Sequence, residues 1–147
     1  MKSKLLLAAA FSAMLALGAC GGGGDSSSPS TPATQVYDVP ALVKTDTVVG
    51  TGVEVVATKA VTVKYTGWLY NTTMANNHGT QFDSGNYTTV LAEKKVIEGW
   101  VQGIPGMKVG GKRTLTIPAS LGYGSGGQYP IPGNSALVFD IEVISVQ

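Results

Sequence analysis

From residue 40 onward, apolar and polar residues alternate in short runs separated by glycine and proline. In Val61-Thr62-Val63-Lys64-Tyr65-Thr66, period two places Val61, Val63 and Tyr65 on one face and Thr62, Lys64 and Thr66 on the other. Leu137, Phe139, Ile141 and Val143 likewise line one face of a final strand, opposite Val138, Asp140, Glu142 and Ile144. Arg113 to Ile117 reads as a further strand, and Val53, Val55 and Val48 mark a first strand or two. Gln81–Ser84 and Thr88–Leu91 read as short strands flanking a turn at Gly85-Asn86, and Gly67 to Gly79 as a polar, hairpin-like excursion. Pro118 to Gly133 is a long loop rich in glycine and proline. One stretch breaks the period: Val96-Ile97-Glu98-Gly99-Trp100 carries two branched apolar residues and an indole on about one helical turn. Gly99, Gly103, Pro105 and Gly106 keep that helix short. The pattern predicts an α+β domain, a curved antiparallel sheet closed over one short helix. Trp100, emerging where helix meets sheet, then floors a pocket.

The first forty residues follow other rules. A basic start, Met1-Lys2-Ser3-Lys4, precedes an apolar run from Leu5 to Leu17 of 13 residues. That run is too short to span a bilayer and suits a signal peptide. Leu17-Gly18-Ala19-Cys20 resembles a bacterial lipobox, in which the chain is cut before the cysteine and the thiol is lipidated; the plainer alternative is a secretory signal with a free or buried Cys20. Residues 1–19 are thus expected to be a lipoprotein signal peptide, and residues 20–40 the lipidated Cys20 with a Gly/Ser/Pro tether. That tether would reach roughly 25 Å as a flexible coil, enough to lift a domain of residues 41–147 clear of lipid headgroups. Gly21 stands where an aspartate commonly retains such lipoproteins at the inner membrane. The expected place is therefore the outer membrane, facing periplasm or cell surface.

Composition narrows the chemistry. The 147 residues suit one domain plus a leader, and the formal charge of +1 becomes 1 − 2 = −1 once Lys2 and Lys4 leave. With no basic patch, nucleic acid is excluded as a partner class. A single cysteine excludes an internal disulfide and any cysteine-based metal cluster. Gly122-Tyr123-Gly124-Ser125-Gly126-Gly127 fits a dinucleotide-binding pattern, but Tyr129-Pro130-Ile131-Pro132-Gly133 follows and cannot start the helix such a site needs. His78, the only histidine, has no carboxylate near it in sequence and reads as a solvated loop residue. What remains is aromatic: Tyr65, Phe82, Tyr87, Trp100, Tyr123 and Phe139 come from six separated segments. Such a set serves equally as plain core or as the lining of a small-ligand pocket.

Val63-Lys64-Tyr65-Thr66-Gly67, Gln81-Phe82-Asp83-Ser84, Val96-Ile97-Glu98-Gly99-Trp100, Gly106-Met107-Lys108-Val109-Gly110, Leu121-Gly122-Tyr123-Gly124 and Ala136-Leu137-Val138-Phe139-Asp140-Ile141-Glu142 stand in an order and spacing that resemble the FKBP-type peptidyl-prolyl cis-trans isomerases. The resemblance implies five or six antiparallel strands wrapped on one short helix and an X–Pro isomerase assisting protein folding in the bacterial envelope. A non-catalytic module docking proline segments is the alternative. It further implies that Trp100 lies beneath the substrate proline, that Tyr65, Phe82, Tyr87 and Phe139 wall it, and that Val96 and Ile97 form a rim where the Ile97 amide meets a substrate carbonyl. Asp83 and the hydroxyls of Tyr65 and Tyr123 would sit near the rotating bond, and Ile131 on a mobile loop over the mouth. No cofactor or metal is implied. The implied partners are proline-containing unfolded or partly folded polypeptides and macrolides of rapamycin type. The chain departs from the family pattern between Ser84 and Thr88, where no arginine is present to pair with Asp83, leaving that carboxylate less restrained. Tyr87 replaces a common phenylalanine, and Leu69 to Gly79 is longer than usual.

Overall fold

The structure, a computed structural model, describes residues 36–147. The expected signal peptide, Cys20 and nearly all of the tether lie outside the described residues. Among the described residues there are five strands: β1 (Val43–Val48), β2 (Ala60–Tyr70), β3 (His78–Val90), β4 (Lys112–Ile117) and β5 (Leu137–Val146). They form one antiparallel sheet in the order β1-β4-β5-β2-β3, and the one α-helix among the described residues, α1 (Glu98–Gly103), packs against it. The α+β architecture is the one the alternation predicts.

Register explains where the core forms. Val63 pairs with Val143, Tyr65 with Ile141, and Gly67 with Phe139, while Phe139 also faces Leu115 on β4. The inward residues of β2, β4 and β5 therefore lie in rows, and Val61, Val63, Leu115, Ile117, Ile141 and Val143 are all buried. Helix α1 closes on these rows through its glycines. A Cβ at Gly99 would lie 2.5 Å from Ile117 Cγ2, and one at Gly103 would lie 2.5 Å from Leu115 Cδ1. These residues, which look like helix breakers in the sequence, are the contact surface that lets α1 approach β4. That approach seats Trp100 at 5 % exposure against the sheet.

The structure corrects several local expectations. The excursion at Gly67–Gly79 is the end of a hairpin whose arms are longer than expected: β2 runs through to Tyr70, β3 begins at His78, and residues 71–77, with Asn76 and Asn77 at positive φ, join them. Gly85-Asn86 is no turn, since Gly85 pairs with Tyr65 and Asn86 with Lys64 inside one continuous β3. β3 is an edge strand and mostly exposed, so polar residues along it do not signal a loop. The first strand is Val43–Val48, exposed throughout, rather than one built on Val53 and Val55. Val55 is buried in an irregular segment whose N–H donates to the Met107 carbonyl at 2.7 Å. β1 is held to β4 by Arg113, whose Nη2 donates to Asp46 Oδ2 at 3.0 Å. Val96 and Ile97 precede α1 rather than sharing its first turn, with Ile97 as its N-cap. Ahead of Ala41, the Tyr37 carbonyl accepts from Ala136 N–H at 2.9 Å and Asp38 Oδ1 from Ala119 N–H at 3.0 Å, so the chain joins the packed domain from Tyr37.

Candidate active site

At the junction of helix and sheet lies an open cleft of about 440 Å³, within the range of small-ligand sites. Trp100 is its floor. Tyr65 meets the indole edge-on at 5.1 Å and 73°, Phe139 at 5.4 Å and 84°, and Tyr87 at 6.4 Å and 71°. Phe82 in turn meets Phe139 at 5.5 Å and 83°. Edge-to-face contacts of this kind add about 0.5–1.5 kcal/mol each beyond burial, and they hold the rings as walls around a hollow instead of filling it. Gly67 makes the Phe82–Phe139 wall possible, because a Cβ there would lie 2.7 Å from an atom of each ring.

The polar groups are few and placed. Tyr65 Oη donates to Asp83 Oδ2 at 2.7 Å, and the Ser84 N–H donates to Asp83 Oδ1 at 2.8 Å. Asp83 is thus restrained at both oxygens without an arginine, which corrects the expectation drawn from the missing partner. Burial first, and the bond to Asp83 second, push the Tyr65 phenol up to about 12. Burial, aided by the Asp83 charge, also raises Tyr123 above the usual phenol value. Both hydroxyls therefore remain protonated donors at physiological pH. Tyr123 is positioned by a tied loop, in which Gly124 N–H donates to the Ala119 carbonyl and Asn134 N–H to the Gly124 carbonyl, each at 2.8 Å. Val96 and Ile97 complete the lining, and the Ile97 carbonyl accepts the Trp100 N–H at 2.9 Å. An N-cap amide lies outside the intrahelical ladder, so the Ile97 N–H is suited to a ligand carbonyl.

Of the residues singled out in the sequence, Tyr65, Phe82, Asp83, Tyr87, Val96, Ile97, Trp100, Tyr123 and Phe139 converge on this cleft. Ile131 does not. It is 7 % exposed and packed in the hydrophobic core. Its N–H and carbonyl bond the Gln128 carbonyl and N–H at 2.6 and 2.9 Å, so Gln128 is the residue this loop sends to the cleft. Lys94 and Lys95 also line it. Alternation arguments miss all three, although the two lysines directly precede Val96. His78 is not a solvated loop residue: it stacks on Trp68 at 4.0 Å and 3°, with Nε2 3.8 Å from Asp140 Oδ1 on β5, two strands away. Cys20 lies outside the described residues.

A sheet wrapped on one short helix, with an aromatic cup opening at their junction, defines a binding domain for a compact apolar group. Residues 52–144 match the FKBP-type peptidyl-prolyl cis-trans isomerase family, and the chain belongs to that family. It is 45 % identical over 103 residues to an FK506-binding protein of Neisseria meningitidis serogroup B, covering 66 % of this chain and 88 % of that one. An FK506-binding protein 1B of Neurospora crassa is 38 % identical over 105 residues, covering 68 % of this chain and 93 % of the relative. Among solved structures, a peptidyl-prolyl cis-trans isomerase of Pseudomonas syringae superposes with a TM-score of 0.62 at 32 % identity, covering 72 % of this chain and 75 % of that chain.

Proposed function

We propose that this domain catalyses cis–trans rotation of X–Pro bonds in unfolded or partly folded polypeptides of the bacterial envelope. The observation that carries this reading is the cup itself: a floor of Trp100, walls of Tyr65, Phe82 and Phe139, and a fixed Tyr65–Asp83 pair beside a hollow of about 440 Å³. Rotation about a peptide bond faces about 18–20 kcal/mol, and the twisted state has lost amide resonance. It is therefore less polar than either planar isomer. A site that seats the proline ring on an indole, excludes water from the carbonyl and offers the Ile97 N–H favours the twisted state without forming a covalent bond. Lowering the barrier by about 5 kcal/mol gives close to four decades of rate.

Relatives named for binding FK506 support a further part of the proposal, that macrolides of this type occupy the same cup. The chain is proposed to be lipid-anchored through Cys20, on the outer membrane facing periplasm or cell surface. That part rests on the basic start and apolar run, the lipobox-like Leu17-Gly18-Ala19-Cys20, and the Gly21 that follows it. Protease-coupled isomerisation of a short Leu-Pro peptide by the purified chain tests the activity, with rapamycin expected to abolish it. A folded chain that binds proline peptides without turnover would instead be a docking module. Cys20→Ser is expected to release the chain from membranes with its fold intact. Equal membrane partition of variant and parent would remove the anchor.

A further inference from the structure

The cleft is apolar at its floor and charged at one rim. Lys94 and Lys95 both line it, in the segment between β3 and α1. Their circumstances differ. Lys95 Nζ lies 2.6 Å from Glu93 Oε2, so its charge is matched locally. Lys94 has no ion pair among the described residues. Its backbone is left-handed, at φ 51° and ψ 35°, and its N–H donates to the Leu91 carbonyl at 3.1 Å. Of the carboxylates beside it in the chain or lining the cleft, Glu93 alone is in an ion pair. Glu93 pairs with Lys95, Glu98 accepts from the Gln102 amide at 3.2 Å, and Asp83 accepts from Tyr65 and Ser84. Of the two cations lining the cleft, Lys94 is thus the one without an ion pair, open to a ligand carboxylate.

We infer that Lys94 makes this site favour proline segments that carry an acidic side chain beside an apolar residue–proline pair. Granting the proline-binding reading above, the ring enters the cup and the flanking residues must cross the rim, where an aspartate or glutamate meets Lys94. A lysine there meets an unpaired like charge. Lys94 is exposed, so the discrimination is that of an exposed ion pair, about two- to fivefold. It weakens as salt shortens the screening length from about 30 Å at 0.01 M to about 3 Å at 1 M.

The test uses the full chain and peptides with an Ala-Leu-Pro-Phe core carrying Glu, Gln or Lys immediately before or after it. Affinity is read by tryptophan fluorescence and turnover by the coupled assay, each at low and high salt. The expected order is Glu, then Gln, then Lys at one flank or both, collapsing at high salt. It is lost in Lys94→Gln and kept in Lys59→Gln, an exposed lysine outside the cleft. Lys94→Asn, whose side chain suits left-handed backbone, should repeat the loss and guards against a folding defect in the first variant. Equal affinities at low salt, or a preference that survives both Lys94 substitutions, overturns the inference. Binding with charge preference but no turnover removes the catalytic reading and leaves this one standing. A folded chain that binds none of the peptides removes both.

Discussion

The two faces of the sheet are built from the same strands and alternate residues, yet only the inner one forms an aromatic cup. On the inner face, Tyr65 and Phe139 stand edge-on to Trp100 and leave its ring looking into a hollow. On the outer face, Trp68 lies flat on His78 at 4.0 Å, so one face of that indole is already covered. The outer face has a hollow too, of about 260 Å³, but it runs among Lys64, Lys112, Asp140 and Glu142. Several polar groups of this face pair with one another: Thr62 and Thr88 share a hydrogen bond at 2.8 Å, Thr114 donates to Asp140 at 2.6 Å, and Lys112 faces Glu142 at 3.6 Å. Aromatic content alone therefore does not make a binding site. What distinguishes the cup is geometry: rings that buttress one another at their edges leave an apolar surface uncovered, whereas a stacked pair covers its own.

The sharpest way to break this contrast is to remove each indole. Trp100→Ala is expected to abolish turnover and macrolide binding and to cost about 3–5 kcal/mol of stability, as large-to-small changes of buried aromatics do. Trp68→Ala and His78→Ala, outside the cleft, should leave turnover within about twofold of the parent, since surface changes remote from a site usually have small effects. Denaturant unfolding run beside the activity assay separates lost chemistry from lost fold. A large loss of turnover in a folded Trp68 variant would mean that the outer face takes part.

A second, smaller effect compares two glycines on the paired strands. Gly67→Ala places a methyl group 2.7 Å from both Phe82 and Phe139, so the wall must move. Overpacking of this kind costs about 1–3 kcal/mol, and macrolide affinity should fall with it. At Gly85, the nearest atom to an added Cβ is Tyr65 Cε1 at 4.0 Å, and Gly85→Ala should bind normally. If both variants bound alike, close packing over Gly67 would not shape the cup.

The same contrast marks how far the sequence could be read. The inner rows were legible because burial enforces alternation: Val61, Val63, Leu137, Phe139, Ile141 and Val143 occupy the face that period two predicts. The exposed edges were not. β1 is exposed at every position and β3 at most, so no burial constrains their composition, and Gly85-Asn86 within β3 looked like a turn. Within the cleft, the aromatic and carboxylate members could be named from resemblance. Lys94, Lys95 and Gln128 arrive through loop geometry that carries no periodic signal. The hydrogen bond from Tyr65 to Asp83 was equally hidden, since it joins residues 18 apart whose side chains meet only once β2 and β3 are in register.

That hydrogen bond supports the last and smallest effect. Tyr65→Phe keeps the ring that meets Trp100 and removes only the donor to Asp83. A single intramolecular hydrogen bond contributes about 0.5–1.5 kcal/mol net, so turnover should fall by no more than about tenfold. The phenol's pH dependence gives a separate reading of the same bond. Its folded value is raised to about 12, so the neutral phenol is favoured in the native state. The associated stability is fully present below the unfolded value of about 10 and is lost as pH climbs through about 12. The parent should therefore shed stability over that alkaline window, and Tyr65→Phe should lack this component. Turnover should stay flat from about pH 6 to 9, because rotation in the cup transfers no proton and both Tyr65 and Tyr123 remain protonated there. Loss of three or more decades in a folded Tyr65→Phe, or a bell-shaped profile in that range, would show the phenol acting as an acid and would overturn catalysis by desolvation and shape.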